Sequence, residues 1–177
     1  MRFWNISYPD LNNGLGCRVT LWIAGCNHHC LGCQNKQTWD FEGGRLFTKT
    51  DKDNLFGVLE KPYIKGITLS GGDPMDSFYE VLDLTKEIKN KFPTKDIWLY
   101  TGYTLQELKN SFRNEIIPYV DYVVDGKFDI NTRDISLKFR GSSNQIIWEK
   151  DKDGNDVQFG ISEATGLPYM SYTMVRD

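Results

Sequence analysis

Three cysteines fall within eight positions, in the run Cys26-Asn-His-His-Cys30-Leu-Gly-Cys33. Thiols this close in a reducing compartment are ligands or catalysts rather than disulfide partners. Two metal chemistries suit the run. A structural zinc ion takes four tetrahedral ligands, often as two separated pairs. Here Cys17, His28 or His29 would have to supply the fourth, and no second C-x-x-C pair exists. An iron–sulfur cubane is held through its irons by thiolates, so three cysteines leave one iron open for another ligand. The spacing favours the cluster and keeps zinc as the alternative.

Further unusual segments each close an apolar run. Ser70-Gly71-Gly72-Asp73-Pro74 joins two glycines, which let a backbone approach a ligand closely, to a carboxylate that can receive an ammonium. Without a neighbouring motif it reads as a strand-ending turn. Tyr100-Thr101-Gly102-Tyr103 and Asp125-Gly126-Lys127 come next. Lys127 can pair with a carboxylate and Asp125 can accept hydrogen bonds. Arg140-Gly-Ser-Ser-Asn-Gln145 is either a site loop with a bidentate cation or a turn whose side chains bond their own backbone.

The elements that must position these residues follow from periodicity. Residues 18–24 alternate Val19, Leu21 and Ile23 with Thr20 and Trp22, a strand pattern. Further strands are predicted at 66–70, 97–101, 119–124 and 146–148. Helices are predicted at 50–60, at 77–92 with a Ser77/Glu80 capping box, and from Thr104 with Glu107 three residues on. Strands alternating with helices imply βαβ units and a mostly parallel sheet. A closed eight-unit barrel uses roughly 250 residues, and this chain has 177. The expected fold is therefore an α/β open partial (β/α) barrel of five or six units. It forms a single domain over 1–177, with 149–177 a peripheral C-terminal extension. In a parallel sheet all the unusual segments emerge on one carboxyl edge.

Composition narrows the classes. Basic residues number 21 against 24 acidic, a net charge of −3, which argues against a nucleic-acid surface. No apolar stretch is long enough to cross a bilayer. The first residues show no secretion signal, so a cytoplasmic location is expected. Neither G-x-x-x-x-G-K-[ST] nor G-x-G-x-x-G occurs.

Cys26-x3-Cys30-x2-Cys33 followed by Gly71-Gly72-Asp73 resembles the radical S-adenosylmethionine (SAM) superfamily. Asn13-Gly14-Leu15-Gly16-Cys17-Arg18 is similar to the N-G-P-G-x-R entry of glycyl-radical activating enzymes, with Leu15 in place of the usual proline. Residues 96–103, 123–128 and 136–145 resemble the activating proteins of anaerobic (class III) ribonucleotide reductases, and the likeness covers about 5–148. The resemblance implies a 4Fe-4S cluster on Cys26, Cys30 and Cys33, with its fourth iron open for SAM. It further implies SAM contacts at Gly71, Gly72, Asp73, Asp125 and Lys127, and lesser ones at Thr101 and Gly102. Many relatives carry an aromatic residue just before the last cysteine, where this chain has Gly32. The adenine contact is therefore expected from the backbone of Gly32, Cys33 and Gln34 or from a distant aromatic such as Trp39. The implied reaction cleaves SAM to methionine and a 5′-deoxyadenosyl radical, which takes hydrogen from a glycine of the large reductase subunit. The electron is expected from an external donor such as reduced flavodoxin. Two other readings stand beside this one: a radical SAM enzyme acting on a small molecule, and a zinc-stabilised interaction module.

Overall fold

The computed structural model describes residues 1–160 and the backbone of 161 and 168–169. Four strands lie parallel at its centre: β2 (Arg18–Ile23), β4 (Gly66–Gly71), β5 (Asp96–Tyr100) and β6 (Tyr122–Asp125). The flanks are antiparallel. β1 (Arg2–Asp10) pairs with β2 and with the short β3 (Arg45–Leu46). On the other side β7 (Ile146–Lys150) pairs with β6, and β8 (Asp156–Gln158) with β7. The resulting order is β3-β1-β2-β4-β5-β6-β7-β8. A separate ladder joins β9 (Gly160–Ile161) to β10 (Pro168–Tyr169).

This mixed eight-stranded sheet with few helices corrects the expected open partial barrel of five or six units. Only three crossovers carry helices: α1 (Lys49–Leu59), α2 (Phe78–Lys91) and the short α3 (Leu105–Lys109). After β6 the sequence turns to residues that bond their own backbone. Asp129 accepts from the Asn131 amide and Asp134 from the Ser136 amide. No α-helix forms between 126 and 145, so β7 returns antiparallel instead of starting another unit. β1 has no clean alternation to betray it, because its pairing with β2 is interrupted by register shifts at Phe3/Asn5 and Ser7/Asp10.

Local signals set the helix starts. Thr48 with Asp51, and Thr104 with Glu107, form reciprocal capping boxes. The expected Ser77/Glu80 box does not form. Asp73 instead caps a 3-10 turn at Pro74–Ser77 that leads into α2, and Glu80 receives the Met1 amino group.

Val19, Leu21, Ile23, Ile67, Leu69, Ile97 and Leu99 join residues of α1 and α2 in the main core. Each such side chain contributes about 1.5–3 kcal/mol on full burial. The alternate residues Arg18, Thr20, Thr68, Ser70 and Trp98 face the other side and are buried too. Arg18 is enclosed there, paired with Asp96 at 2.6 Å and donating to Thr68 Oγ1 and to the Leu15 and Ile67 carbonyls. Breaking one side of such a buried pair costs about 3–5 kcal/mol, so this arginine anchors the 13–17 turn to the sheet. Among the described residues no helix is long and apolar enough to cross a membrane.

Candidate functional site

The cysteine run forms the loop leaving β2. Its base is tied by Gly25 N to Thr38 O (2.8 Å) and Cys26 N to Trp39 O (3.0 Å), and Cys33 N closes a turn on Cys30 O. His29 and Gly32 hold positive φ within it, +48° and +77°. All four cysteines of the chain are unpaired thiols, Cys26 buried and the others partly so.

The Cys33 sulfur accepts from the Asn35 amide at 3.4 Å. Amide hydrogen bonds to ligand sulfurs are a recurring feature of iron–sulfur sites. Burial pushes the Cys26 thiol up to about 11 and raises that of Cys30, so loading a metal there must release protons. Among the described residues no group of three or more His, Cys, Asp or Glu could hold a single metal ion. Cys17 stands before the other end of β2. Six residues at about 3.3 Å each put it about 20 Å from the loop.

The other predicted residues gather around the same edge, with several already engaged by the chain. A Cβ on Gly71 would lie 2.3 Å from Ile23 O, and one on Gly72 would lie 2.1 Å from Gly25 O. These glycines let the end of β4 pack against β2 and the cysteine loop. Asp73 is 1% exposed. Its Oδ1 accepts from Met75 N, and its Oδ2 from Thr101 Oγ1, Gly102 N and His28 Nε2. Asp125 is buried and accepts from Leu105 N and Ile146 N. Lys127 is exposed and close enough to Cys30 to draw its thiol downward.

A cavity of about 410 Å³ takes in Gln34, Ser70, Tyr100, Phe128, Arg133 and Arg140 along its lining. The Tyr100 hydroxyl is buried without a hydrogen-bond partner, and burial holds it above its usual range. Lys127 and Asp125 line a second cavity of about 380 Å³ instead.

The Arg140–Gln145 segment is a self-bonded clasp. Arg140 donates to Gln145 O, Gln145 Oε1 accepts from Gly141 N, and Gln145 Nε2 donates to Gly126 O. Asn144 donates to Lys127 O. The clasp thereby fixes the turn at Gly126 and Lys127.

Sequence reasoning missed the pieces that fasten the loop from behind. Asp76 Oδ2 accepts from Asn27 N (2.8 Å) and Asp76 Oδ1 from Tyr103 Oη (2.8 Å). The Arg113 guanidinium lies over the Tyr103 ring, and the His28 ring meets that ring edge-on. Burial and the Asp76 bond push the Tyr103 hydroxyl up to about 12. The available signal was the i, i+3 spacing of Asp73 and Asp76 around Pro74, on the turn directly beside the cysteine loop.

Residues 12–148 match the family model described as "4Fe-4S single cluster domain". An anaerobic ribonucleoside-triphosphate reductase-activating protein of Enterobacteria phage T4 is 44% identical over 144 residues, spanning 80% of this chain and 90% of its own. The protein of that name in Vibrio cholerae is 46% identical over 145 residues, spanning 79% and 93%. That of Escherichia coli (strain K12) is 44% identical over 145 residues, spanning 79% and 94%. Identity at this level, over nearly the full length of each relative, settles the family: the chain belongs to the 4Fe-4S single-cluster proteins, among the anaerobic ribonucleoside-triphosphate reductase-activating proteins.

Proposed function

We propose that this chain is a radical SAM enzyme that installs a glycyl radical on the large subunit of an anaerobic ribonucleoside-triphosphate reductase. The observation that carries the reading is the loop itself, with three unpaired thiols at the carboxyl edge of the parallel strands. Cys26, Cys30 and Cys33 would hold a 4Fe-4S cluster, and Cys17 lies too far away to complete a fourth ligand. When bound there, the cluster supplies the electron that cleaves SAM to methionine and a 5′-deoxyadenosyl radical.

The chain's own residues have three tasks in this reading. The backbone at Gly32, Cys33 and Gln34 borders the ligand, with Gln34 at the cavity wall. Gly71, Gly72, Asp73 and Asp125 hold the strand ends that frame it, since their contacts are within the chain. Lys127 sets a positive charge beside Cys30 and can meet the SAM carboxylate. The cavity beside Ser70 and Tyr100 is the place for the reductase's glycine-bearing segment, with Arg133 and Arg140 on its wall. The partner is thus a protein, and the electron comes from an external donor such as reduced flavodoxin. Four unpaired thiols suit a reducing cytoplasm.

The test is anaerobic reconstitution with iron and sulfide, followed by SAM, reductant and the cognate reductase. The expected outcome is 5′-deoxyadenosine and methionine in the supernatant, with a glycyl doublet on the reductase by electron paramagnetic resonance. A loaded protein that leaves SAM intact under reduction contradicts the reading.

A further inference from the structure

Asp73 and Asp76 are two carboxylates on one turn, both enclosed, and the chemistry proposed above uses neither of them directly. Their side chains are each about 1% exposed. Together they accept six hydrogen bonds from the cysteine loop, the end of β5 and their own turn. From the loop come His28 Nε2 and Asn27 N. From the end of β5 come Thr101 Oγ1, Gly102 N and Tyr103 Oη. A Cβ on Gly102 would fall 2.4 Å from the His28 ring, so the strand end is shaped to let that ring pass. Asn27 and His28, which the two carboxylates hold, directly follow Cys26 in the chain, so both charges lie beside that ligand position.

We propose that Asp73 and Asp76 are positioning residues for the cluster, with Asp76 holding the cysteine loop against the sheet and lowering the cluster's reduction potential by its charge. The proposal rests on the seat of the cluster at Cys26, Cys30 and Cys33, and it goes beyond SAM chemistry. Reduction adds one electron to the cluster. A fixed negative charge nearby makes that addition less favourable, because charge and hydrogen bonding around the sulfurs set such potentials. Arg113, 3.9 Å from Asp76 Oδ1, works in the opposite direction.

The two carboxylates differ in what an amide can replace. Each oxygen of Asp73 accepts from a backbone N–H, Met75 N on Oδ1 and Gly102 N on Oδ2. Asn at 73 would therefore aim its NH₂ at another donor and lose part of the clamp. Asp76 has one amide partner and one hydroxyl partner. Asn at 76 keeps the Asn27 amide on its carbonyl and donates its NH₂ to Tyr103 Oη, which accepts as readily as it donates. Asp76→Asn thus removes the charge and keeps both bonds.

The experiment is a dithionite titration of the reconstituted full chain with mediators, followed by electron paramagnetic resonance, each cluster taking one electron. Asp76→Asn is expected to load iron and sulfide as the parent does and to show a midpoint potential shifted upward. Arg113→Gln is expected to shift it downward. Asp73→Asn is expected to load substantially less. A loaded Asp76→Asn protein whose midpoint equals or falls below the parent's overturns the proposal. If that variant fails to load, Arg113→Gln decides, and a midpoint at or above the parent's overturns it. Iron content of Cys30→Ala reports separately on where the cluster sits, so a misplaced cluster is distinguishable from an inert carboxylate.

Discussion

Cys30→Ala is expected to retain little iron after anaerobic reconstitution, and Cys26→Ala and Cys33→Ala to behave alike, while Cys17→Ala loads as the parent does. The three loop thiols lie within eight residues on the one loop that leaves β2. Losing one leaves a cluster held by two thiolates. Cys17 is separated from the loop by the length of β2, and its backbone carbonyl is engaged by Lys65 N. Iron and sulfide analysis with the visible spectrum checks this. A colourless Cys17→Ala protein beside a brown Cys30→Ala protein would reverse the assignment.

Gly72→Val is expected to lose the cluster and SAM cleavage together. The added Cβ would sit 2.1 Å from Gly25 O and 2.8 Å from Thr38 O, both backbone atoms. Those atoms form the base of the cysteine loop, where Gly25 N bonds Thr38 O and Asp73 N bonds Gly25 O. Nothing there is a flexible side chain that can turn away, so the loop must shift. Iron content and 5′-deoxyadenosine yield, measured on the same preparation, check the coupling. A variant that keeps full iron and loses only SAM cleavage would place the glycine pair against the ligand instead.

The loop chemistry was legible because it is local. Val19, Leu21 and Ile23 announce a strand, and the cysteines follow it. The ends of β4, β5 and β6 are likewise marked by Gly71, Gly102 and Gly126 after apolar runs. The sheet edges were not legible. β1 is broken by register shifts, and the direction of β7 depends on how residues 126–145 fold, which strand periodicity does not report. The in-chain partners of Asp73 and Asp125 were not legible for a different reason. A carboxylate accepts equally from a ligand ammonium and from its own chain's amides. Residue type cannot separate the two, and only the fold shows that Thr101, Gly102, His28, Leu105 and Ile146 arrived first. Arg140–Gln145 bonds to its own backbone and to the 126–127 turn, which the turn reading of that segment anticipated, while Arg140 also lines the cavity.

The central claim is that a hydrogen atom moves from a glycine of the reductase to the 5′-deoxyadenosyl group. The direct measurement uses reductase deuterated at glycine Cα, mixed anaerobically with the reconstituted chain, SAM and reductant. Mass spectrometry of the 5′-deoxyadenosine then reads the origin of the new hydrogen. The account predicts one deuterium in that product, accompanied by a glycyl radical on the reductase. Unlabelled 5′-deoxyadenosine with no radical on the reductase, and label appearing only when a deuterated small molecule is supplied, would contradict it.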